Sequence, residues 1–145
     1  MSSVLAFQAE PCPPDVAPVP APPEPVPSAE LEALRAAARC VRSAARLDLF
    51  RACAMLGDDR HAATRTAAEA LVRTLDQGLG RRARLYRPGT PALSFDERWL
   101  SALIDAIRRE DGDSMAFLLH SRILPHARRA TGFLTGRVAM GLDAV

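Results

Sequence analysis

Nine of the chain's 12 prolines fall within residues 11–27, PCPPDVAPVPAPPEPVP. Each proline lacks an N–H donor and fixes φ, so this run can form neither a helix interior nor a sheet. It reads as an extended polyproline tether, and residues 1–27 as a disordered Pro-rich tail. Packed structure is thereby confined to residues 28–145, expected to be a single helical domain. Only Pro88, Pro91 and Pro125 remain in that part, so long helices are permitted there. Two PxxP frames, Pro20–Pro23 and Pro22–Pro25, read as spacer, with a docking motif as the alternative. Beyond the tether, Val4-Leu5-Ala6-Phe7 is a short apolar piece able to dock on a partner or to stand as a free terminus.

Helical periodicity dominates the rest, and no stretch alternates like a strand. Ser28 suits an N-cap, with Glu30 and Glu32 in the first turn. Leu31, Leu34, Ala38, Val41, Ala45, Ala52 and Met55 then form one apolar stripe, predicting a helix to about Leu56. Gly57 is its stop, and Asp58 or Asp59 caps the next helix. That second helix is expected from Arg60 to Gly78, with a small-residue seam of Ala63, Ala67, Ala70, Leu71, Thr74 and Leu75, ended by Gly78 and Gly80. Residues 81–92, RRARLYRPGTPA, carry a Pro-Gly turn signal and read as a loop pinned by Leu85 and Tyr86.

In the stretch LSFDERWLSALIDAIRRE, residues 93–110, Asp96, Glu97 and Asp105 have two possible meanings: catalytic groups, or the cap and solvated face of a helix. Ser94 and Glu97 match the capping box, in which each side chain satisfies the other's orphan amide. Asp96 and Glu97 sit where the helix dipole favours negative charge. Phe95, Trp99, Leu103 and Ile107, flanked by Leu100 and Ile104, form a core-facing stripe. Asp105 and Arg109 form an i,i+4 pair. Each carboxylate has a structural task, and the structural meaning is preferred. After the turn at 111–113, with Asp113 or Ser114 as cap, the apolar run Met115–Leu119 predicts a short buried helix to about Arg122. Pro125 suits position N1 of a last helix with Ala127, Ala130, Leu134, Val138 and Leu142 at helical spacing. The expected fold is all-α, a small bundle of about five helices behind the tail.

The charge is uneven. All 19 basic residues are arginines, and the formal net charge is +2. Glu10, Asp15 and Glu24 give residues 1–27 a charge of −3, leaving 14 of the 17 acids against all 19 arginines in the remainder, or +5. That balance permits an acidic partner or nucleic acid without demanding either. Arginine without lysine, with abundant Ala and Pro, is the composition of a GC-rich bacterial genome. Cys12, Cys40 and Cys53 are odd in number and lack a CxxC spacing, so free thiols in a reducing cytoplasm are expected. SVLAF is too short for a signal sequence and lacks a basic flank. No apolar run is long enough to predict a membrane span. His61, His120 and His126 fall in no metal-ligand spacing, and no phosphate loop or nucleophile motif is present. No metal or other cofactor is indicated.

Four features are candidate contact sites. Gly132 and Gly136 form a GxxxG in the last helix, a place for close helix–helix approach. His126, Arg128 and Arg129 open that helix, where positive charge opposes the dipole. They can pair with Glu110, Asp111 or Asp113, or bind an anion at the helix start. Arg35, Arg39, Arg42 and Arg46 form a basic stripe on the first helix, and Arg81, Arg82, Arg84 and Arg87 a further cluster in the loop. The expected function is a non-catalytic protein-interaction or regulatory module of the bacterial cytoplasm, its partner another protein. One alternative is a DNA-binding regulator with a helix-turn-helix-like C-terminal half. Another is an enzyme whose site is assembled from scattered residues. Oligomeric state has no signature in the sequence.

Overall fold

The computed structural model describes residues 26–43 and 60–142. Among these, five helices and no strand are present. They are α1 (Ala29–Ser43), α2 (Arg60–Leu79), α3 (Phe95–Arg108), α4 (Gly112–Arg122) and α5 (Pro125–Leu142). The Pro-rich tail up to residue 25 lies outside the described residues. So do the continuation of the first helix to Leu56, the Gly57 stop and the Asp58 or Asp59 cap. Among the described residues no helix is long and apolar enough to cross a membrane.

α1 starts as its cap residue dictates: Ser28 Oγ accepts the Leu31 N–H at 3.4 Å. Leu31, Leu34 and Ala38 of its stripe are buried, and Val41 is partly buried. α2 packs against both α1 and α5, its interface with α5 is the widest among the described residues, and α5 is the helix that touches all the others. Ala63, Ala67, Leu71 and Leu75 are buried as the seam predicts, but so are Ala68 and Val72. One apolar seam is therefore too narrow a description of a helix packed from two directions.

Small residues permit that packing. A methyl group added at Gly78 would lie 3.0 Å from Ala127 Cβ and from Ile123 Cγ2, and one at Gly141 would overlap the Thr64 side chain. Gly78 does not end α2, which runs on to Leu79 and stops at Gly80, whose φ of +65° suits glycine. The Gly78 carbonyl instead accepts the Leu124 N–H at 2.8 Å, fastening the α4–α5 turn to the end of α2.

α3 brings the apolar stripe of its sequence to the core: Trp99, Leu100, Leu103 and Ile104 are buried. Each fully buried Leu or Ile contributes about 1.5–3 kcal/mol. Phe95 does not join them and is 71% exposed. It lies in the first turn, where the Arg122 guanidinium from α4 stacks on its ring at 4.7 Å. Among the described residues no ion pair joins Asp105 to Arg109. Instead the Arg109 N–H donates to the Asp105 carbonyl at 3.1 Å as part of the helix end. Glu110 follows with φ +55°. Its N–H bonds to Ile107 O at 3.0 Å and the Asp111 N–H to Ala106 O at 2.9 Å, a Schellman ending with Glu where glycine is usual.

α4 begins earlier than its sequence predicts. Asp111, not Asp113 or Ser114, is the cap, accepting the Ser114 N–H at 3.0 Å and the Ser114 hydroxyl at 2.5 Å. The apolar run at 115–119 does not make a buried helix. Only Leu119 is fully buried, and Phe117 is 72% exposed. α4 lies on the outside of α3 and α5, so it offers the core a single stripe. α5 begins at Pro125 as expected, and buries Ala127, Leu134 and Val138, while Ala130 faces outward.

Candidate anion-binding cleft

The loop at 81–94 runs along α1, from Arg42 to Glu32, and over the start of α3, with no helix or strand of its own. It is held by carboxylates. Asp96 Oδ1 accepts from Arg81 Nη2 at 2.8 Å and Arg122 Nη2 at 2.7 Å, and Oδ2 accepts from Arg81 Nη1 at 2.8 Å and the Arg84 N–H at 2.7 Å. The next residue repeats the arrangement. Glu97 Oε1 accepts from Arg35 Nε at 2.7 Å and the Tyr86 N–H at 2.8 Å, and Oε2 from Arg35 Nη2 at 3.1 Å and the Ser94 N–H at 2.7 Å. Each of these four oxygens thus has two donors. The capping box of α3 is present in full, with Ser94 Oγ accepting the Glu97 N–H at 3.1 Å. Ser94 Oγ also donates to the Arg84 carbonyl.

Burial pushes both carboxyls up, but their donors outweigh it. Arg81, the Arg84 N–H and Arg122 hold Asp96 far below the ordinary carboxylate range. Arg35, with the Ser94 and Tyr86 N–H groups, holds Glu97 below its usual value. In return the hydrogen bond to Glu97 raises Arg35. The structural meaning of Asp96 and Glu97 thereby deepens. They cap α3 and also fasten the loop.

Arg35 is the first correction to the basic stripe. It is fully buried, binds Glu97 and Glu32, and donates to the Thr90 carbonyl at 2.6 Å and the Ala92 carbonyl at 2.8 Å. It has no face free for a ligand. Arg39 and Arg42 lie one and two turns further along α1, and both are exposed. Arg42 Nη2 donates to the Ala83 carbonyl at 2.9 Å, so this side chain leans over the loop. Arg46 lies outside the described residues.

Fixing the loop by its backbone leaves Tyr86 and Arg87 outward, both exposed. Leu85 pins the loop as expected; the Tyr86 side chain does not. The result is a cleft of about 380 Å³ lined by Arg35, Arg39, Arg42, Leu85, Tyr86 and Arg87. Two arginine clusters far apart in the chain meet here. Glu32, the nearest acid on α1, is engaged by Arg35 at 2.7 Å and by the Gly89 N–H at 2.9 Å. Chemically the cleft offers guanidinium forks for a carboxylate or phosphate, beside an aromatic ring.

The third cluster does not line this cleft. Arg128 Nε donates to the Ile123 carbonyl at 2.8 Å, satisfying the end of α4. This replaces the pairing of Arg128 and Arg129 with Glu110, Asp111 or Asp113. Arg129 and His126 are exposed. The α4–turn–α5 outline of a helix-turn-helix is present, with Ile123 and Leu124 between the helices. Gly132 and Gly136 face neighbours within the chain. An added methyl would stand 3.3 Å from Leu119 Cδ1 at Gly132 and 3.9 Å from Ile107 Cγ2 at Gly136. Among the described residues no group of His, Cys, Asp and Glu side chains is arranged to hold a metal ion.

Sequence reasoning set Arg87 in a loop cluster but not in a site, and gave Tyr86 an anchoring role. The available signal was an exposed aromatic between arginines; the partner across the cleft was not visible. Compared with family models, curated proteins and solved structures, the chain matches none.

Proposed function

We propose that the protein is a non-catalytic interaction module of the bacterial cytoplasm whose α1–loop cleft binds an acidic segment of another protein. The supporting observation is the meeting of Arg39, Arg42 and Arg87 beside Tyr86 in one cleft, while the neighbouring acids are engaged elsewhere. Guanidinium groups bind carboxylates through paired hydrogen bonds, and a tyrosine ring adds contact area at little entropic cost. A peptide is favoured over duplex DNA because the cleft is small and because Arg128, at the opening of α5, already serves a backbone carbonyl.

The test is a fluorescence-anisotropy titration with a labelled polyglutamate peptide and, separately, labelled duplex DNA. The peptide should bind, and Arg39→Gln/Arg87→Gln should weaken it by about tenfold, the effect of losing charge-assisted bonds. Arg128→Ala/Arg129→Ala should leave peptide binding unchanged. DNA binding that persists at physiological salt and vanishes in the Arg128/Arg129 variant would replace this reading with the DNA-binding one.

A further inference from the structure

We infer that the cleft is also the docking site of the chain's own acidic tail, which competes there with the outside partner. The inference rests on the reading of the cleft as an acidic-segment site and adds its regulation. Three observations carry it. The first is charge: residues 1–27 hold Glu10, Asp15 and Glu24 and no arginine, whereas the cleft is lined by four arginines of which only Arg35 is fully buried. The second is connection. The tail runs into α1 at Ser28, and α1 itself carries Arg39 and Arg42.

The third is reach. At ~1.5 Å per residue, Arg39 and Arg42 stand about 16–21 Å along α1 from Ser28. An extended chain at ~3.1 Å per residue spans about 40 Å between Asp15 and Ser28 and about 12 Å between Glu24 and Ser28. Asp15 therefore reaches the cleft with slack for the reversal, and Glu24 reaches the first turns of α1. A tether of this length sets an effective concentration on the order of millimolar. Even a weak pairing of two or three carboxylates with exposed guanidinium groups is then populated. Prolines lower the ordering cost, because their φ is fixed before docking. A partner must displace the tail, so its apparent affinity falls by the fraction of chains whose cleft is open.

The experiment uses the full chain with Cys40→Ser and Cys53→Ser and a nitroxide on Cys12. Amide signals of residues 39–42, 84–87, 89 and 90 should broaden relative to the reduced label. The broadening should disappear at high salt, in Glu10→Gln/Asp15→Asn/Glu24→Gln, and on saturation with polyglutamate. Absence of broadening there overturns the inference, and so does broadening that persists in the neutralised-tail variant. In the anisotropy titration the neutralised-tail chain should bind polyglutamate at least about threefold more tightly than the wild type. Equal affinity overturns the competition. The two readings fail separately. Peptide binding that depends on Arg39 and Arg87 without tail broadening keeps the proposed function and removes the tail. Tail broadening without any peptide binding keeps the tail contact and removes the outside partner.

Discussion

The starts of α3 and α5 place charge in opposite ways. At the start of α3, two adjacent carboxylates are buried and each oxygen has two donors. At the start of α5, two adjacent arginines face a dipole of the wrong sign. One of them reaches back to a carbonyl, and the other is exposed. The helix dipole favours the first arrangement and disfavours the second, by only a few tenths to ~1 kcal/mol. The larger difference is tertiary. The acids of α3 join four segments of chain, while at the start of α5 only Arg128 makes a tertiary bond, to the end of the adjoining α4. A charged residue at a helix start is thus decisive or incidental according to what the rest of the fold brings to it.

The contrast should be sharpest in Glu97→Ala. It leaves Arg35 charged and fully buried without its main partner, and removes the acceptor for the Tyr86 and Ser94 N–H groups. A loss of about 3–5 kcal/mol is expected in urea unfolding. Arg35→Met with Glu97→Leu should recover part of it, which a purely capping role would not predict.

Acid should act on the same site. Asp96 and Glu97 have folded pKa values below their ordinary 3.8 and 4.5. A lowered carboxylate pKa contributes stability that is present above the unfolded value and lost as pH falls towards the folded one. Stability should therefore drop steadily below about pH 4.5. The slope should be shallower in Asp96→Asn, measured as the urea midpoint against pH.

Asp96→Asn is expected to cost about 1–3 kcal/mol, since the amide keeps one acceptor but loses the charge facing Arg81 and Arg122. Hydrogen exchange should show residues 81–86 opening before the rest. A loop that stays protected would mean that Leu85 burial alone holds it.

The smallest effects belong to α5. Arg128→Ala should cost ~1 kcal/mol through the lost bond to the Ile123 carbonyl, and Arg129→Ala about 0.5 kcal/mol or less. Equal and large losses from both would show that the start of α5 is tied into the fold as firmly as that of α3, and the comparison would fail.

Much of the bundle was legible. The Ser28 and Ser94 caps, Pro125 at the first position of α5 and the 3.6-residue stripes are local features that act through local geometry. The exceptions have a common cause. Phe95 lies on the apolar stripe of α3, but it stays exposed with the Arg122 guanidinium on its ring. Met115–Leu119 reads as buried, but α4 is an outer helix with one covered face. Gly78 reads as a stop, but its missing side chain makes room for Ile123 and Ala127.

The candidate site divides along the same line. The arginine stripe of α1 and the loop cluster were both visible as clusters. That Arg35 is sealed while Arg39, Arg42 and Arg87 share a cleft was not.

The sequence by itself determined most of the places where helices form and, at Ser28, Ser94 and Pro125, where they begin. Those outcomes depend on φ restriction, orphan amides and side-chain period, all acting within a few residues. Only the tertiary structure decided which charges are spent and which are free. The partners of Arg35 include Glu97, 62 residues away, and the carbonyls of Thr90 and Ala92, 55 and 57 residues away. No local rule selects among 19 arginines for that position. Burial makes that pairing costly to break by removing one partner, and the arginines left outside it line the cleft.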